Sequence, residues 1–479
     1  MEKTLKRKNI SLTEGPLFKN MLVFVLPLMA TNLLQTCYNV ADMMVVGMSK
    51  EPDAVGAIGV TASFISLRHK MFIGFATGAK VILARHLGSK NSDGASKTTH
   101  TAILMSLIFG GGAALIGMFI SRPVLSLMGA EGKLLDLAVT YTLIYFAGVP
   151  FISLTNYASA IFRAKGDTRT PLVVLSIAGL VNVLLNVFFV MVANLSVEGV
   201  ALATAIANIV SAAILLIILM RDNGDCRLSL SRLRIDKVAF MGILKIGLPA
   251  GIQGALFSLS NILIQSSILK VNNSVVPYES DFQPVVKGNA AAANIESFIY
   301  TATNSVYQAS MTFTSQNFGA SRLDRVKRVM WNSYLLTFMI GVLFSGLCLA
   351  LRTPLLSLYG ISDGVDGSLA YIAYHTALKR FLIVSSPYFL LGFMEVGSGV
   401  LRGLGRSVTS TVISLVGSCL FRIAWLYTAF VLYESVDVIY LSYPISWIIT
   451  AIVEFILAYI IIDKMLRGKV AQSHIEQVN

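Results

Sequence analysis

Long apolar stretches recur along this chain and leave little room for soluble domains. A helix needs about 20 predominantly apolar residues to cross a bilayer. Of the 479 residues, 55% are hydrophobic and only 13% are charged, about half the charged share of a soluble domain. Twelve spans can be laid out, at 17–47, 54–84, 98–121, 134–163, 170–193, 198–221, 240–270, 288–317, 325–352, 366–401, 408–433 and 437–464. This pattern predicts a membrane protein that crosses the bilayer twelve times.

The net charge of +13 is divided unevenly between two sets of loops. Most lysines and arginines lie at the termini and after even-numbered spans, in stretches such as "KTLKRKN", "FRAKGDTRTP" and "SRLDRVKR". Loops after odd-numbered spans are acidic, as in "KEPDAVG" and "YESVD". Because cytoplasmic loops carry such a basic excess, we expect both termini in the cytoplasm. The surplus charge reflects topology, and we expect no nucleic-acid partner.

The two halves of the chain repeat each other. "PVLSLMG" at 123–129 returns as "PLLSLYG" at 354–360, and Gly88 in "HLGSK" corresponds to Gly319 in "NFGAS", both 231 residues later. "AIFRAKGDTRTP" at 160–171 aligns with "GVLRGLGRSVTS" at 399–410. An even number of spans in each half makes the halves parallel, as in transporters whose halves rock about a central cavity.

These observations predict an all-α polytopic membrane protein with twelve transmembrane helices in two pseudo-symmetric six-helix lobes. The expected divisions are a cytoplasmic tail at 1–16, an N-lobe at 17–221, a cytoplasmic linker at 222–239, a C-lobe at 240–464 and a cytoplasmic tail at 465–479.

Asp42 is an acidic residue near the outer end of the first apolar span. An ionised carboxylate within a bilayer costs roughly 2.5–3.5 kcal/mol on insertion scales, so such residues are functional by default. The spans predict a polar cluster around it within the N-lobe, formed by Tyr38, Tyr141, Asn156, Asn182, Asn186 and Thr204. Asn182 and Asn186 are four residues apart and share one helix face. A purely structural role, with a basic neighbour neutralising Asp42, is the alternative.

A single carboxylate among amides and hydroxyls suits two ions. It can bind Na⁺, since hard cations prefer oxygen ligands, or it can take up a proton once it is removed from water. Either ion neutralises the site and would favour a different packing of the helices. Pro27 removes a backbone hydrogen bond in the first span and predicts a hinge there.

Five stretches resemble the MATE (multidrug and toxic compound extrusion) family, and most closely its MepA-like bacterial branch. They are "LPLMATNLLQTCYNVADMMVVG", "GAKVILARHLGSKN", "FRAKGDTRTP", "EGVALATAIAN" and "LLGFMEVGSGVLRGLG". The resemblance implies a secondary active exporter of drugs and organic cations, driven by H⁺ or Na⁺ without a cofactor. It also implies that Asp42 couples the ion to transport. Many relatives have an acid where this chain has Asn186, which leaves Asp42 as the only acid in the N-lobe core.

The C-lobe carries no copy of Asp42, because the equivalent position is Ile264. Its own acid, Glu395, either pairs with Arg422 on the neighbouring span or faces the cavity and attracts cationic substrates. Further polar contacts of the substrate cavity are expected at Gln265, Glu296 and Gln308.

Three basic residues, Arg68, His69 and Lys70, follow one another near the middle of the second span. Consecutive helix residues point about 100° apart, so the three cannot all face one cavity. At least one must reach the interface, meet a carboxylate or contact water. The triplet could narrow the preference for cationic substrates or impair transport.

The alternatives to efflux are a lipid-linked precursor flippase of the same superfamily and a membrane enzyme. The basic triplet is the one feature that favours the flippase. No HExxH, paired acids or P-loop occurs in the sequence, and its one GxSxG match, at 360–364, lies in a loop between two predicted spans. We therefore expect neither an enzyme nor an ATP-driven pump. We expect a multi-pass protein of the bacterial plasma membrane that functions as a monomer.

Overall fold

The computed structural model describes residues 10–49, 51, 53–275 and 283–478, with the side chains of all of these except 63, 67 and 469–478. Within these ranges every regular element is a helix, so the predicted all-α class is confirmed. Each predicted span lies on one of twelve long helical segments, and most helices extend beyond the predicted ends.

The first six helices are α1 (Leu17–Gly47), α2 (Ala54–Gly88), α3 (Ser92–Leu127), α4 (Gly132–Ala164), α5 (Arg169–Val187) and α6 (Val197–Met220). Helix α5 ends in one π-helical turn, Phe188–Val192, which begins two residues after Asn186. A 3₁₀ turn, Leu230–Arg232, lies between α6 and α7.

The second six helices begin with α7 (Lys237–Val275), α8 (Pro284–Gly319) and α9 (Leu323–Ala350), followed by a short helix, Arg352–Ser357. Helix α10 comprises Leu369–Arg380, a π turn at Phe381–Ser385 and Phe389–Gly403. Helix α11 comprises Ser407–Ser414, a π turn at Leu415–Leu420, Phe421–Tyr427 and Ala429–Leu432, and α12 is Val436–Val478.

Among the described residues, nine helices are long and apolar enough to cross a membrane, and ten if the two parts of α10, bent by 42°, form one span. Helices α2 and α8 are the two that complete the twelve. Helix α2 carries the basic triplet and α8 is rich in amide and hydroxyl side chains, which explains why these two are less apolar than the rest.

The described residues form two compact units. The first extends to Gly254 and includes Ser315–Ser321, and the second holds Ala255–Thr314 and the residues from Arg322 onward. This division by compactness cuts α7 near its middle and assigns the end of α8 to the first unit. The lobe bounds drawn from the sequence stay a prediction.

In the first unit, α4 packs against α2, α3 and α6, and α5 packs between α1 and α6. Its core contains large buried side chains such as Leu83, Met105, Phe146 and Tyr157. Helices α2 and α7 approach through glycines, since a Cβ at Gly74 would lie 2.4 Å from the backbone nitrogen of Gly251. Small residues permit such close backbone contact between membrane helices.

The repeat-equivalent glycines Gly88 and Gly319 make a reciprocal contact in the first unit. A Cβ at Gly88 would lie 2.0 Å from the carbonyl oxygen of Gln316, and one at Gly319 would lie 2.1 Å from that of Arg85. Arg85 and Gln316 are themselves 231 residues apart, so the ends of α2 and α8 contact each other through equivalent residues.

In the second unit, α12 packs against both parts of α10 and against α11, and α9 packs on α10. The core is aromatic and includes Phe381, Tyr440 and Trp447. Polar and charged side chains are buried within it, notably Glu296, Arg380 and Glu454.

Candidate ion-coupling site

Asp42 on α1 contacts Asn186 on α5. The Asn186 amide nitrogen donates a hydrogen bond to the Asp42 carboxylate at 2.5 Å. Asn186 is fully buried and Asp42 is half-buried. The packing of α1 against α5 brings the two residues together, because both lie near the same end of parallel helices in the predicted topology.

The hydrogen bonds continue from Asn186 to α6. Asn186 also approaches the Asn182 side-chain oxygen at 3.4 Å, and the Asn182 amide donates to the Thr204 hydroxyl at 3.4 Å. The Asn186 side-chain oxygen is buried and accepts no hydrogen bond from the part of the chain that the structure describes. An acceptor oxygen beside a carboxylate therefore remains available to a small cation.

Two tyrosines flank this cluster. Tyr141 on α4 is buried and lies close enough to Asp42 for the two side chains to interact electrostatically. Tyr38 donates to the backbone oxygen of Ser176 at 3.3 Å and packs on Gly179, where a Cβ would lie 1.9 Å from its ring. Gly179, Asn182 and Asn186 share one face of α5, so Tyr38 lies about two turns from Asn186 along that face.

Asn156 and Pro27 lie apart from these contacts. The Asn156 amide nitrogen on α4 is buried and finds no acceptor among the described residues, and nothing joins it to the Asp42 cluster. Helix α1 continues through Pro27, and the Thr31 hydroxyl donates to the Pro27 carbonyl at 2.8 Å. The hinge at Pro27 stays a prediction.

Asp42 has no basic partner in the part of the chain that the structure describes. None of the ion pairs formed by described residues includes it, so the structural alternative of a neutralising neighbour gains no support. Within the same ranges, no group of three or more His, Cys, Asp or Glu could hold a metal ion. The available ligands are one carboxylate and the amide and hydroxyl oxygens around it, which suit a proton or a monovalent hard cation.

Glu395 in the second unit is held by amides. The Asn304 side chain donates to its two oxygens at 3.2 and 3.4 Å, and Gln308 donates to Asn304 at 3.0 Å. The alternative pairing with Arg422 is absent from the described ion pairs. Arg422 instead donates to Ser446 at 3.0 Å and lies 4.3 Å from the Tyr443 ring centroid.

Glu296, which the sequence predicted as a contact of the substrate cavity, is buried in an ion pair. It is 5% exposed and forms an ion pair with Arg380 at 2.9 Å. Arg380 also donates to Asn289 at 2.8 Å, and Asn289 donates to Gln265 at 3.4 Å. Because its carboxylate is buried and neutralised, Glu296 is a core residue. Gln265 is exposed and stays a predicted cavity contact.

The sequence profile of the MatE family matches residues 27–188 and 258–428, more than half of the chain. The chain belongs to the MatE family.

Two relatives and one solved structure illustrate the match. Probable multidrug resistance protein YoeA of Bacillus subtilis is 25% identical over 83% of this chain and 84% of its own length. Multidrug export protein MepA of Staphylococcus aureus is 23% identical over 94% of this chain and 96% of its own. The outward-facing structure of a multidrug resistance MATE family transporter has a TM-score of 0.87 at 18% identity, covering 96% of this chain and 99% of that one.

These matches confirm the predicted family and the predicted similarity to MepA. The shared fold confirms the predicted twelve transmembrane helices in two lobes. At 18% identity, this structural likeness shows the fold alone. This MatE protein is therefore a membrane transporter.

Two buried charged residues of this MatE chain, Arg380 and Glu454, were not predicted from the sequence. Arg380 lies in a span and neutralises Glu296, and an arginine in an apolar run signals a partner of opposite charge. Glu454 lies in the apolar run "AIVEFIL" of α12, is fully buried and accepts a hydrogen bond from Ser414 at 2.9 Å. The reasoning that selected Asp42, an acid inside an apolar span, would have selected Glu454 as well.

Proposed function

We propose that this MatE transporter exports amphipathic organic compounds, organic cations among them, across the bacterial plasma membrane in exchange for H⁺ or Na⁺. Both termini lie in the cytoplasm, the monomer is the working unit, and no cofactor takes part. The relatives named for multidrug resistance and multidrug export support the efflux function. The observation that supports ion coupling most is the Asp42 carboxylate, which accepts a hydrogen bond from the Asn186 amide and forms no ion pair with any described residue.

Ion binding changes the charge of this cluster. A proton or Na⁺ at Asp42 removes the negative charge that the Asn186 amide hydrogen-bonds, and the free acceptor oxygen of Asn186 can serve as a second ligand. Because α1 and α5 meet at this contact, the charged and neutral states favour different packings of the two helices. An ion can shift the transporter between conformations only through such a difference in affinity. Pro27 is the proposed bending point of α1.

The test is transport by the full chain in lipid vesicles. Ethidium movement is followed under a pH gradient alone and under a Na⁺ gradient alone. A response to one gradient identifies the coupling ion. Asp42→Asn should abolish gradient-driven movement of ethidium, because the neutral amide cannot alternate between a charged and a neutral state. The variant should still fold and elute as wild type does.

Asp136→Asn is the matched control. Asp136 is an exposed carboxylate of the same lobe, paired with Arg122 at 2.7 Å, and its variant should transport normally. Gradient-driven efflux that persists in Asp42→Asn would contradict the coupling role of Asp42.

A lipid-linked precursor flippase is the second candidate. The basic triplet Arg68, His69 and Lys70 supports it, since a lipid pyrophosphate carries negative charge. If wild-type protein moves ethidium under neither gradient, the flippase becomes the better proposal.

A further inference from the structure

Arg68 is a cation buried within the first unit, on α2. Its side chain is 8% exposed. One terminal nitrogen donates to the Tyr145 hydroxyl at 2.8 Å. The guanidinium carbon lies 5.2 Å from the centroid of the Tyr145 ring and 5.7 Å from that of Phe72. These contacts fix the position of the guanidinium beside two aromatic rings.

Among the described residues, nothing neutralises the charge of Arg68. No described residue forms an ion pair with it. Its Nε and the second terminal nitrogen are buried and have no acceptor within the described ranges. A buried charge without a counter-charge is costly, and an arginine always keeps its proton.

Two other buried arginines, Arg380 and Arg422, are satisfied differently. Arg380 forms an ion pair with Glu296. Arg422 donates to Ser446 and stacks on Tyr443, and none of its nitrogens is buried without a partner. Arg68 combines burial, an ordered position and two unused donors, which is the state expected of a site that is completed by a ligand.

We propose that Arg68, positioned by Tyr145, binds a carboxylate or phosphate group of the transported amphiphile. The planar guanidinium presents adjacent N–H groups that match both oxygens of such an anion. The ligand therefore carries a negative group, whatever cationic or aromatic parts it also has. That the bound molecule is transported rests on the proposed function, whereas the anion site itself does not.

The anion site lies beside the ion cluster without sharing its residues. Tyr145 stacks on Tyr141 with ring centroids 6.0 Å apart, and Tyr141 lies within electrostatic range of Asp42. This tyrosine pair therefore lies between the Arg68 site and the neighbourhood of Asp42. Substrate and coupling ion can be bound by different side chains of the same lobe.

The test compares two dyes that differ at one group, a rhodamine with a free carboxylate and its methyl ester. Equilibrium binding to the full chain in nanodiscs of zwitterionic lipid is measured by fluorescence anisotropy, with no ion gradient. Wild type should bind the free acid more tightly than the ester. Arg68→Gln should weaken binding of the acid about tenfold or more, because a charge-assisted contact is lost, and leave the ester within about twofold.

Arg422→Gln is the matched control, since it removes another buried arginine of a span, and it should keep the preference for the acid. Arg68→Lys should keep part of it, because the charge remains while the planar fork is lost. If Arg68→Gln does not fold, Tyr145→Phe replaces it and should weaken binding of the acid about threefold. Equal binding of the two dyes by wild type, or unchanged binding of the acid by the Arg68 variants, would overturn the proposal.

A lipid headgroup and a soluble organic anion share this chemistry, and a second arm separates them. Nanodiscs containing phosphatidylglycerol should weaken binding of the acid in wild type if a lipid phosphate is the natural occupant. Unchanged binding would identify a soluble anion. Both results support the anion site. Since no gradient is used, loss of ion-driven transport in the vesicle experiment would leave this measurement unaffected.

Discussion

Asp42 and Glu296 are both acids of membrane helices, and their neighbours set them apart. Asp42 receives a hydrogen bond from an amide and has no basic partner among the described residues. Glu296 forms an ion pair with Arg380, and both side chains are almost fully buried. Removing the charge of Glu296 would leave Arg380 buried without a counter-charge. Removing the charge of Asp42 leaves no described residue unpaired in this way. A carboxylate held by neutral donors can therefore bind and release an ion, while one locked to an arginine stabilises the fold.

The largest expected effect comes from breaking the ion pair. Arg380→Met should lower the free energy of unfolding by about 3–5 kcal/mol, because Glu296 is left buried without a counter-charge. The thermal midpoint of the detergent-solubilised protein measures this loss. The double variant Glu296→Gln with Arg380→Met should recover most of it.

Arg122→Met is the control for this prediction, since Arg122 belongs to an exposed pair, and exposed pairs contribute about 0–1 kcal/mol. A double variant as unstable as Arg380→Met alone would show that the pair does not stabilise the second unit in the way described.

Asn186→Ala tests the neutral partner of Asp42. It removes a hydrogen bond to a charged group, of the kind that contributes about 1.5–3 kcal/mol, together with the free acceptor oxygen. We expect the ion concentration for half-maximal efflux to change about tenfold or more. Asn208→Ala is the control. Asn208 lies one turn after Thr204 on α6 and donates its amide hydrogen bond to the Thr204 backbone oxygen, and this variant should leave the half-maximal ion concentration unchanged. Equal effects of the two variants would argue against an ion site.

Gly179→Ala tests the close packing of α1 on α5. The added methyl would lie 1.9 Å from the Tyr38 ring, and overpacking of this kind costs about 1–3 kcal/mol. Efflux should fall, and adding Tyr38→Ala should restore it in part. Gly111→Ala is the control, since no heavy atom lies within 4 Å of its Cβ. Normal efflux by Gly179→Ala would show that this contact is dispensable.

Thr204→Val should have the smallest effect. It keeps the shape of the side chain and removes one long hydrogen bond to Asn182, a contribution of about 0.5–1.5 kcal/mol at most. We expect less than about a threefold change in the half-maximal ion concentration. A larger loss would mean that the Thr204 hydroxyl contacts the ion itself.

Part of the site could be read from the chain because its signals are local. An acid in an apolar run selected Asp42, and a spacing of four selected Asn182 and Asn186 as one helix face. The same spacing arguments could not tell that Asn156 would lie outside the contacts of Asp42, because a helix position gives depth and approximate direction but not the neighbouring side chain. The ion pair of Glu296 could not be predicted for the same reason, as its partner Arg380 is 84 residues away.

The sequence alone determined that this protein is a helical membrane transporter of two repeated halves, because apolar length, loop charge and internal repetition are properties of the linear chain. Only the tertiary structure decided which buried charges are neutralised. In the tertiary structure, Glu296 pairs with Arg380 and Asp42 accepts a hydrogen bond from an amide. Two N–H donors of Arg68 have no acceptor among the described residues. The cost of a buried charge depends on atoms within a few ångströms of it, and those atoms come from helices far apart in the sequence.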